Sequence, residues 1–174
     1  MLRDLLQQRR SIRSFTDAPV SKEAIDILLQ CALLSPSSRS IRPWEFIVVD
    51  EPELIRKLSR AKEHGSAFMA GAPAAIVVAG LPEVSDVWIE DSAIAASNLL
   101  LAAEDLGLGA CWIQIRLRTS ADGGSSEEYV RETLNIPASR SVEAVIALGH
   151  PNQRMSQCSL DNLEWQKVSY NRRP

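Results

Sequence analysis

Apolar residues recur along this chain at two spacings, and the switch between them predicts an alternation of helices and strands. Leu2, Leu5 and Leu6 place an apolar stripe on a short first helix that ends near Arg9 or Arg10. After a turn at Asp17-Ala18-Pro19, Ser21 is placed to cap a second helix. There Ala24, Ile25, Leu28, Leu29, Ala32 and Leu33 repeat at helical spacing, and Ser35-Pro36 ends the run. A polar loop over 37–42 leads into a strand at 44–49. Asp50 with Glu53 predicts a capping box for a helix reaching about residue 60. Residues 74–80 read as a buried strand, and 86–106 as a long alanine-rich helix, apolar around much of its circumference and so packed on several sides. Gly107 closes it. A third strand follows at 110–115. Ser125 with Glu128 forms another capping box for a helix through Leu134, and 142–148 is nearly continuous in apolar character, as a central strand is.

The last 23 residues, 152–174, carry few regular signals yet hold Leu160, Leu163, Trp165, Val168 and Tyr170. Such a segment needs a surface to cover, and an arm wrapping a partner subunit is the expectation. No repeat, low-complexity tract or linker interrupts the chain, so 1–174 is read as a single domain. At 174 residues and 45% apolar content it can bury one sizeable core without disulfides or a structural metal. Cys31, Cys111 and Cys158 are odd in number and widely spaced, which argues against a secreted disulfide scaffold or a zinc ribbon and for a reducing cytoplasm. No apolar run approaches the ~18 residues of a membrane span, and the charged first ten residues lack the apolar centre of a signal peptide. Soluble, cytoplasmic, with no membrane partner, is the expectation.

A net charge of −3 excludes broad nucleic-acid binding, but the cations are unevenly chosen, 15 Arg against 4 Lys. Arg3, Arg9, Arg10 and Arg13 crowd the first 13 residues, and the guanidinium fork suits bidentate phosphate contacts. The common catalytic constellations are missing. His64 and His150 stand in no metal-ligand spacing, and no serine sits in a GxSxG elbow. Glu90-Asp91 and Glu127-Glu128 read as solvated helix carboxylates. Gly107-Leu108-Gly109 follows a helix and precedes a strand, the reverse of a dinucleotide fingerprint. Three segments remain. Arg9-Arg10-Ser11-Ile12-Arg13 is either a solvated helix end or a set of charge-assisted phosphate donors. The run from Ser35 to Trp44 is either helix punctuation or a loop offering hydroxyls and guanidinia to a ligand. Gly107 to Gln114 is either a buried strand after a cap or a strand whose glycines permit close approach.

In this order and separation the three segments resemble the FMN-dependent nitroreductase family. The opening signature matches Arg9 to Arg13, followed by Phe15 and Asp17-Ala18-Pro19-Val20. The second matches Pro36-Ser37 and Ser40-Ile41-Arg42-Pro43-Trp44, with Ser40 and Arg42 in place of the usual Asn and Gln. The third matches Gly107 to Ile113, preceded by Asp91, Ala95 and Asn98 on the long helix. The likeness runs on through Leu134-Asn135-Ile136-Pro137 and Ala147 to Pro151 into the tail.

The resemblance implies an α+β sandwich, a mainly antiparallel sheet between helix layers, in an intertwined homodimer with flavin at the subunit interface. It implies that Arg9, Arg10, Ser11 and Arg13 contact FMN, with cations on the phosphate and Arg13 near the N1/O2 edge of the ring. Pro36, Ser37, Ser38, Ser40 and Arg42 would reach the same flavin from the other subunit. Trp112, Ile113 and Gln114 would lie against the ring with a backbone amide near N5. The chemistry would reside on the flavin, with no catalytic side chain and no metal. NADH or NADPH would be the reductant and a nitroaromatic, quinone or similar small molecule the acceptor, served in turn by a ping-pong mechanism. The alternatives are a same-fold flavin enzyme of other chemistry, dehalogenating or dehydrogenating, and a non-catalytic FMN-binding dimer.

Overall fold

A computed structural model describes residues 1–172 and converts the two spacings into five helices and four strands. In chain order these are α1 (Leu2–Gln8), α2 (Lys22–Leu33), β1 (Trp44–Val49), α3 (Pro52–Leu58), β2 (Ala74–Gly80), α4 (Trp88–Asp105), β3 (Gly109–Gln114), α5 (Ser126–Leu134) and β4 (Ser141–Gly149). The strands pair only antiparallel, in the order β1-β2-β4-β3, so the two most apolar strands, β2 and β4, are central and β1 and β3 are the edges. A bulge lies where Val78 faces Ala144 and Ala79 faces Val142, which leaves Glu143 as the extra residue.

Alternation along the central strands gives each helix layer its own core. On one face Val77, Val145, Ala147 and Ile113 pack with Ile55 and Leu58 of α3, Val130 of α5, and Ile12 and Phe15 of the N-terminal segment. On the other, Ile76, Val78, Ile146 and Leu148 pack with Leu28 and Ala32 of α2 and Ala96, Leu99 and Ala103 of α4. The sheet is thus sandwiched between helical layers, the expected α+β architecture. Each large side chain sealed in these layers contributes about 1.5–3 kcal/mol of burial.

Helix ends follow local chemistry. The Ser21 hydroxyl accepts from the Ala24 amide at 3.2 Å and the Ser125 hydroxyl from the Glu128 amide at 3.3 Å, as the sequence predicts. The capping box at Asp50 does not form. Glu51 caps α3 and Pro52 takes its first turn, where a fixed φ and a missing N–H cost nothing, so Glu53 instead pairs with Arg56 at 2.5 Å. The stripe on α1 is left uncovered by this chain, with Leu2 and Leu6 61% and 53% exposed.

The chain after β4 first runs along its own N-terminal segment. The Thr16 amide donates to the His150 carbonyl, Asn152 to Ser14 and Cys158 to Gln7, each at 2.9 Å. Beyond Cys158 the regular structure among the described residues is confined to short 3-10 turns at Leu160–Asn162 and Trp165–Lys167, and Leu160, Leu163, Trp165, Val168 and Tyr170 are all exposed.

Gly149, where β4 hands over to this segment, is crowded by rigid rings. A Cβ there would stand 2.6 Å from Pro73 Cδ and 2.9 Å from Phe15 Cδ1. Gly149→Ala is therefore expected to destabilise the fold by about 1–3 kcal/mol, measured as a lowered urea midpoint with an unchanged slope.

Candidate functional site

The N-terminal segment leaves α1 at Arg9 and lies in extended form on the free edge of β3. The Ile12 amide donates to the Ala110 carbonyl at 3.0 Å, and Ser11 forms a parallel bridge with Ala110. This docking needs a glycine at 109, because a Cβ there would stand 2.7 Å from Ile12 Cγ2. Ile12 turns into the core, and Ser11 and Arg13 flank it. Arg13 rests its guanidinium over Phe68, 5.9 Å from the ring centroid, while its amide donates to Gln153 Oε1 at 3.2 Å.

Beside them lies Cys111, which is buried. Burial pushes its thiol up from the usual value of 9.0, against the opposing pull of Arg13, the Ser11 hydroxyl, Arg9 and Lys62, in that order. Four groups from two chain segments thus act electrostatically on one buried sulfur. Among the described residues Arg9, Arg13 and Lys62 form no ion pair with a carboxylate, whereas Arg3, Arg39, Arg56, Arg60 and Arg140 all do. The cluster is a concentration of uncompensated positive charge, open to an anion.

Arg10 points elsewhere. Its Nε donates to the Ser156 carbonyl at 2.7 Å and its Nη1 to the Arg9 carbonyl at 3.0 Å. It ties the post-β4 segment to α1 and borders a separate cavity of about 180 Å³ with Gly107, Leu108 and Gly109. The predicted arginine run therefore divides between two sides of the segment.

Along β3 the predicted residues separate by strand geometry. Because the Ala110 carbonyl faces the N-terminal segment, the register with β4 turns the amides of Trp112 and Gln114 toward the open edge and those of Cys111 and Ile113 toward β4. Ile113 is a core residue, 2% exposed. The side chains of Trp112 and Gln114 lie on the α2/α4 face, where Trp112 Nε1 donates to Gln114 Oε1 at 2.9 Å and Gln114 Nε2 to Glu143 Oε1 at 3.1 Å.

The second predicted segment occupies another corner. The Ser37 hydroxyl accepts from the Arg42 amide at 2.9 Å, and Arg39, Ser40 and Arg42 all hold left-handed backbone, φ 54°, 55° and 54°. Each such residue without glycine's freedom costs of order 1–3 kcal/mol. Asp91 Oδ1 accepts from the Ser38 amide at 2.9 Å, Arg39 pairs with Asp86, and Asn98 Nδ2 donates to Ser35 Oγ at 2.7 Å. Asp91, expected to be solvated, is 3% exposed. The loop precedes Trp44 at the sheet end where β4 begins, whereas the cation cluster sits on the opposite edge where β4 finishes. The two corners are about 14 Å apart across the sheet and about 25 Å along it, so one chain does not unite them.

A family model for the Nitroreductase family matches residues 6–64 and 59–150. The chain belongs to this family. It is 38% identical over 151 residues to a protein of Archaeoglobus fulgidus named "Putative NADH dehydrogenase/NAD(P)H nitroreductase", spanning 84% of this chain and 83% of that one. It superposes on the solved FMN-dependent nitroreductase of Clostridium difficile R20291 with a TM-score of 0.94 at 44% identity, over 97% and 98% of the two chains. A family structure from Desulfovibrio desulfuricans, solved in complex with FMN, superposes with a TM-score of 0.76 at 28% identity, over 99% and 98%.

Set against the nitroreductase pattern, three residues were missed by reading the sequence. Lys62 and Phe68 precede the Ala72-Pro73 strand entry in a stretch without regular period, and only the fold brings Phe68 under Arg13 and Lys62 within electrostatic reach of Cys111. The turn is fixed by the buried Ser66 hydroxyl, which accepts from the Lys62 amide at 3.2 Å and donates to the Ser59 carbonyl at 2.7 Å. Asp91 carried a family match but no visible task.

The Cys111 environment makes a chemical prediction. With its thiol raised by burial, Cys111 is neutral at pH 8, and its protonation favours the folded state up to the unfolded thiol's range, an advantage lost as pH climbs higher. Titration of the native protein with a chromogenic disulfide at pH 8 should show one fast thiol, the exposed Cys158, and Cys158→Ser should abolish that phase. Cys111 should react only on denaturation.

Proposed function

We propose that this nitroreductase-family protein is an FMN-dependent oxidoreductase that takes electrons from NADH or NADPH and delivers them to a nitroaromatic, a quinone or a similar small acceptor. The single observation that carries the reading is the uncompensated cluster of Arg9, Arg13 and Lys62 with the Ser11 hydroxyl beside the open edge of β3. Its donor set suits FMN: guanidinia, an ammonium and a hydroxyl for phosphate or an electron-rich ring edge, and the outward amides of Trp112 and Gln114 for ring acceptors. When bound, FMN supplies the two-electron chemistry.

The chain's own part is binding and electrostatics. Arg13, fixed against Phe68, would offer positive charge to the ring edge of a bound flavin. Cys111 stays protonated and packs beneath the cluster without exchanging protons at neutral pH. His64 is exposed and paired with Glu63. In this reading a second copy of the chain supplies Pro36, Ser37, Ser38, Ser40 and Arg42, and the segment beyond Cys158 covers the partner with Leu160, Leu163, Trp165, Val168 and Tyr170. Donor and acceptor then use one open ring face in turn. Among the described residues no helix is long and apolar enough to cross a membrane.

Purified protein should show flavin absorbance that bleaches on anaerobic addition of NADH or NADPH. Bound flavin that never bleaches would favour a non-catalytic FMN-binding dimer. Arg9→Ala and Arg13→Ala should each weaken FMN binding by at least about 1.5 kcal/mol, the scale of a charged hydrogen bond, read by flavin fluorescence titration. Unchanged affinity in both would return the cluster to a solvated helix end.

Assembly is tested by removing only residues 159–174, which keeps the pairing of 150–158 with the N-terminal segment. Light scattering should then report monomer or aggregate, with flavin content lost in parallel. A soluble, FMN-loaded monomer would refute the shared site.

A further inference from the structure

The loop that precedes β1 holds Arg39, Ser40 and Arg42 in left-handed backbone, a conformation that none of these residue types adopts without cost. Its internal bonds, Ser40 amide to Ser37 carbonyl at 3.1 Å, Ile41 amide to Ser38 carbonyl at 3.1 Å and Arg42 amide to Ser37 hydroxyl at 2.9 Å, close the turn on itself but do not anchor it. Two contacts anchor it to the body of the protein. The Arg39–Asp86 pair is 62% and 78% exposed, and pairs so open to solvent hold little. The other is the bond from the Ser38 amide to Asp91 Oδ1, and Asp91 is buried in the first turn of α4.

Asp91 is poorly explained by folding alone. Among the described residues it has no cation partner, and its buried Oδ2 has no hydrogen-bond partner at all. A buried carboxylate with one amide donor is a net burden on the folded state unless it does something else. We infer that Asp91 is a positioning residue. Its carboxylate holds the Ser38 amide and so maintains the left-handed form of Arg39, Ser40 and Arg42, presenting exposed Ser40 and Arg42 in their binding arrangement before a ligand arrives. Preorganisation of this kind reduces the ordering cost of binding. The ligand part of the inference rests on the flavoenzyme reading. The latch itself does not.

The test uses full-length protein with Asp91→Ala and Asp91→Asn, the latter retaining an oxygen that accepts from the Ser38 amide. Trypsin cleavage after Arg39 in the FMN-free protein should accelerate at least tenfold in Asp91→Ala, with no fall in the thermal midpoint, and should return to the original rate in Asp91→Asn. FMN affinity should fall about tenfold in Asp91→Ala and recover to within twofold in Asp91→Asn. If the void left by alanine unfolds the chain, Asp91→Leu fills it and carries the same expectation. Unchanged cleavage in Asp91→Ala, or an Asp91→Asn as open as Asp91→Ala, overturns the latch. Accelerated cleavage in a protein whose unsubstituted form takes up no FMN upholds the latch and overturns the flavin reading.

Discussion

The cation cluster depends on one contact: the N-terminal segment lies flush on the edge of β3 because position 109 has no side chain. With Ile12 seated on Gly109 and its amide on the Ala110 carbonyl, the flanking Ser11 and Arg13 are held at the β3 edge, Arg13 over Phe68. The segment after β4 clamps the same stretch from its other flank through Ser14, Thr16 and Gln7. Arg10, turned to the Ser156 carbonyl, belongs to that clamp. Two arginines adjacent in sequence thereby acquire different surroundings, Arg9 in the cation cluster and Arg10 securing the segment that carries it.

Charge at the cluster is kept available by what is missing around it. Several arginines elsewhere in the chain are quenched by carboxylates at 2.5 to 3.5 Å, as at Arg56, Arg60, Arg140 and Arg3. Arg13 lies over an aromatic ring instead, and Arg9, Arg13 and Lys62 all act electrostatically on a buried thiol. A thiol held neutral by desolvation cannot neutralise them, and an aromatic face orients a guanidinium without cancelling its charge.

Most of the fold was legible in the sequence because its signals are local. The four strands, the Ser21 and Ser125 caps and the alanine face of α4 follow from periodicity and from side chains that reach their own backbone. The Asp50 box failed for an equally local reason, since Pro52 at the first turn moved the start of α3 by one residue. The site was legible only in part. Lys62, Phe68 and Asp91 act across separations of tens of residues, and nothing in the spacing of a lone lysine or a helix aspartate says which loop it will meet. Ile113 shows the converse, a residue carried into the expected site by its neighbours although strand alternation gives its side chain to the core.

The placement of the two predicted segments links ligand binding to assembly. They sit at diagonal corners of one sheet, and no hinge between them could close a gap of that size without breaking the central β2–β4 pairing. A ligand that needs both corners must take them from two chains, and by mass action it then stabilises the assembly by RT ln(1 + [L]/Kd). Association and ligand affinity become one quantity. The uncovered stripe on α1 and the exposed apolar residues beyond Cys158 are surfaces that such an assembly would remove from water, each large side chain adding about 1.5–3 kcal/mol. An isolated chain would carry these costs with no return, whereas a ligand-bearing pair would offset the strain of the Arg39–Arg42 loop and the self-repulsion of Arg9, Arg13 and Lys62 in a single step.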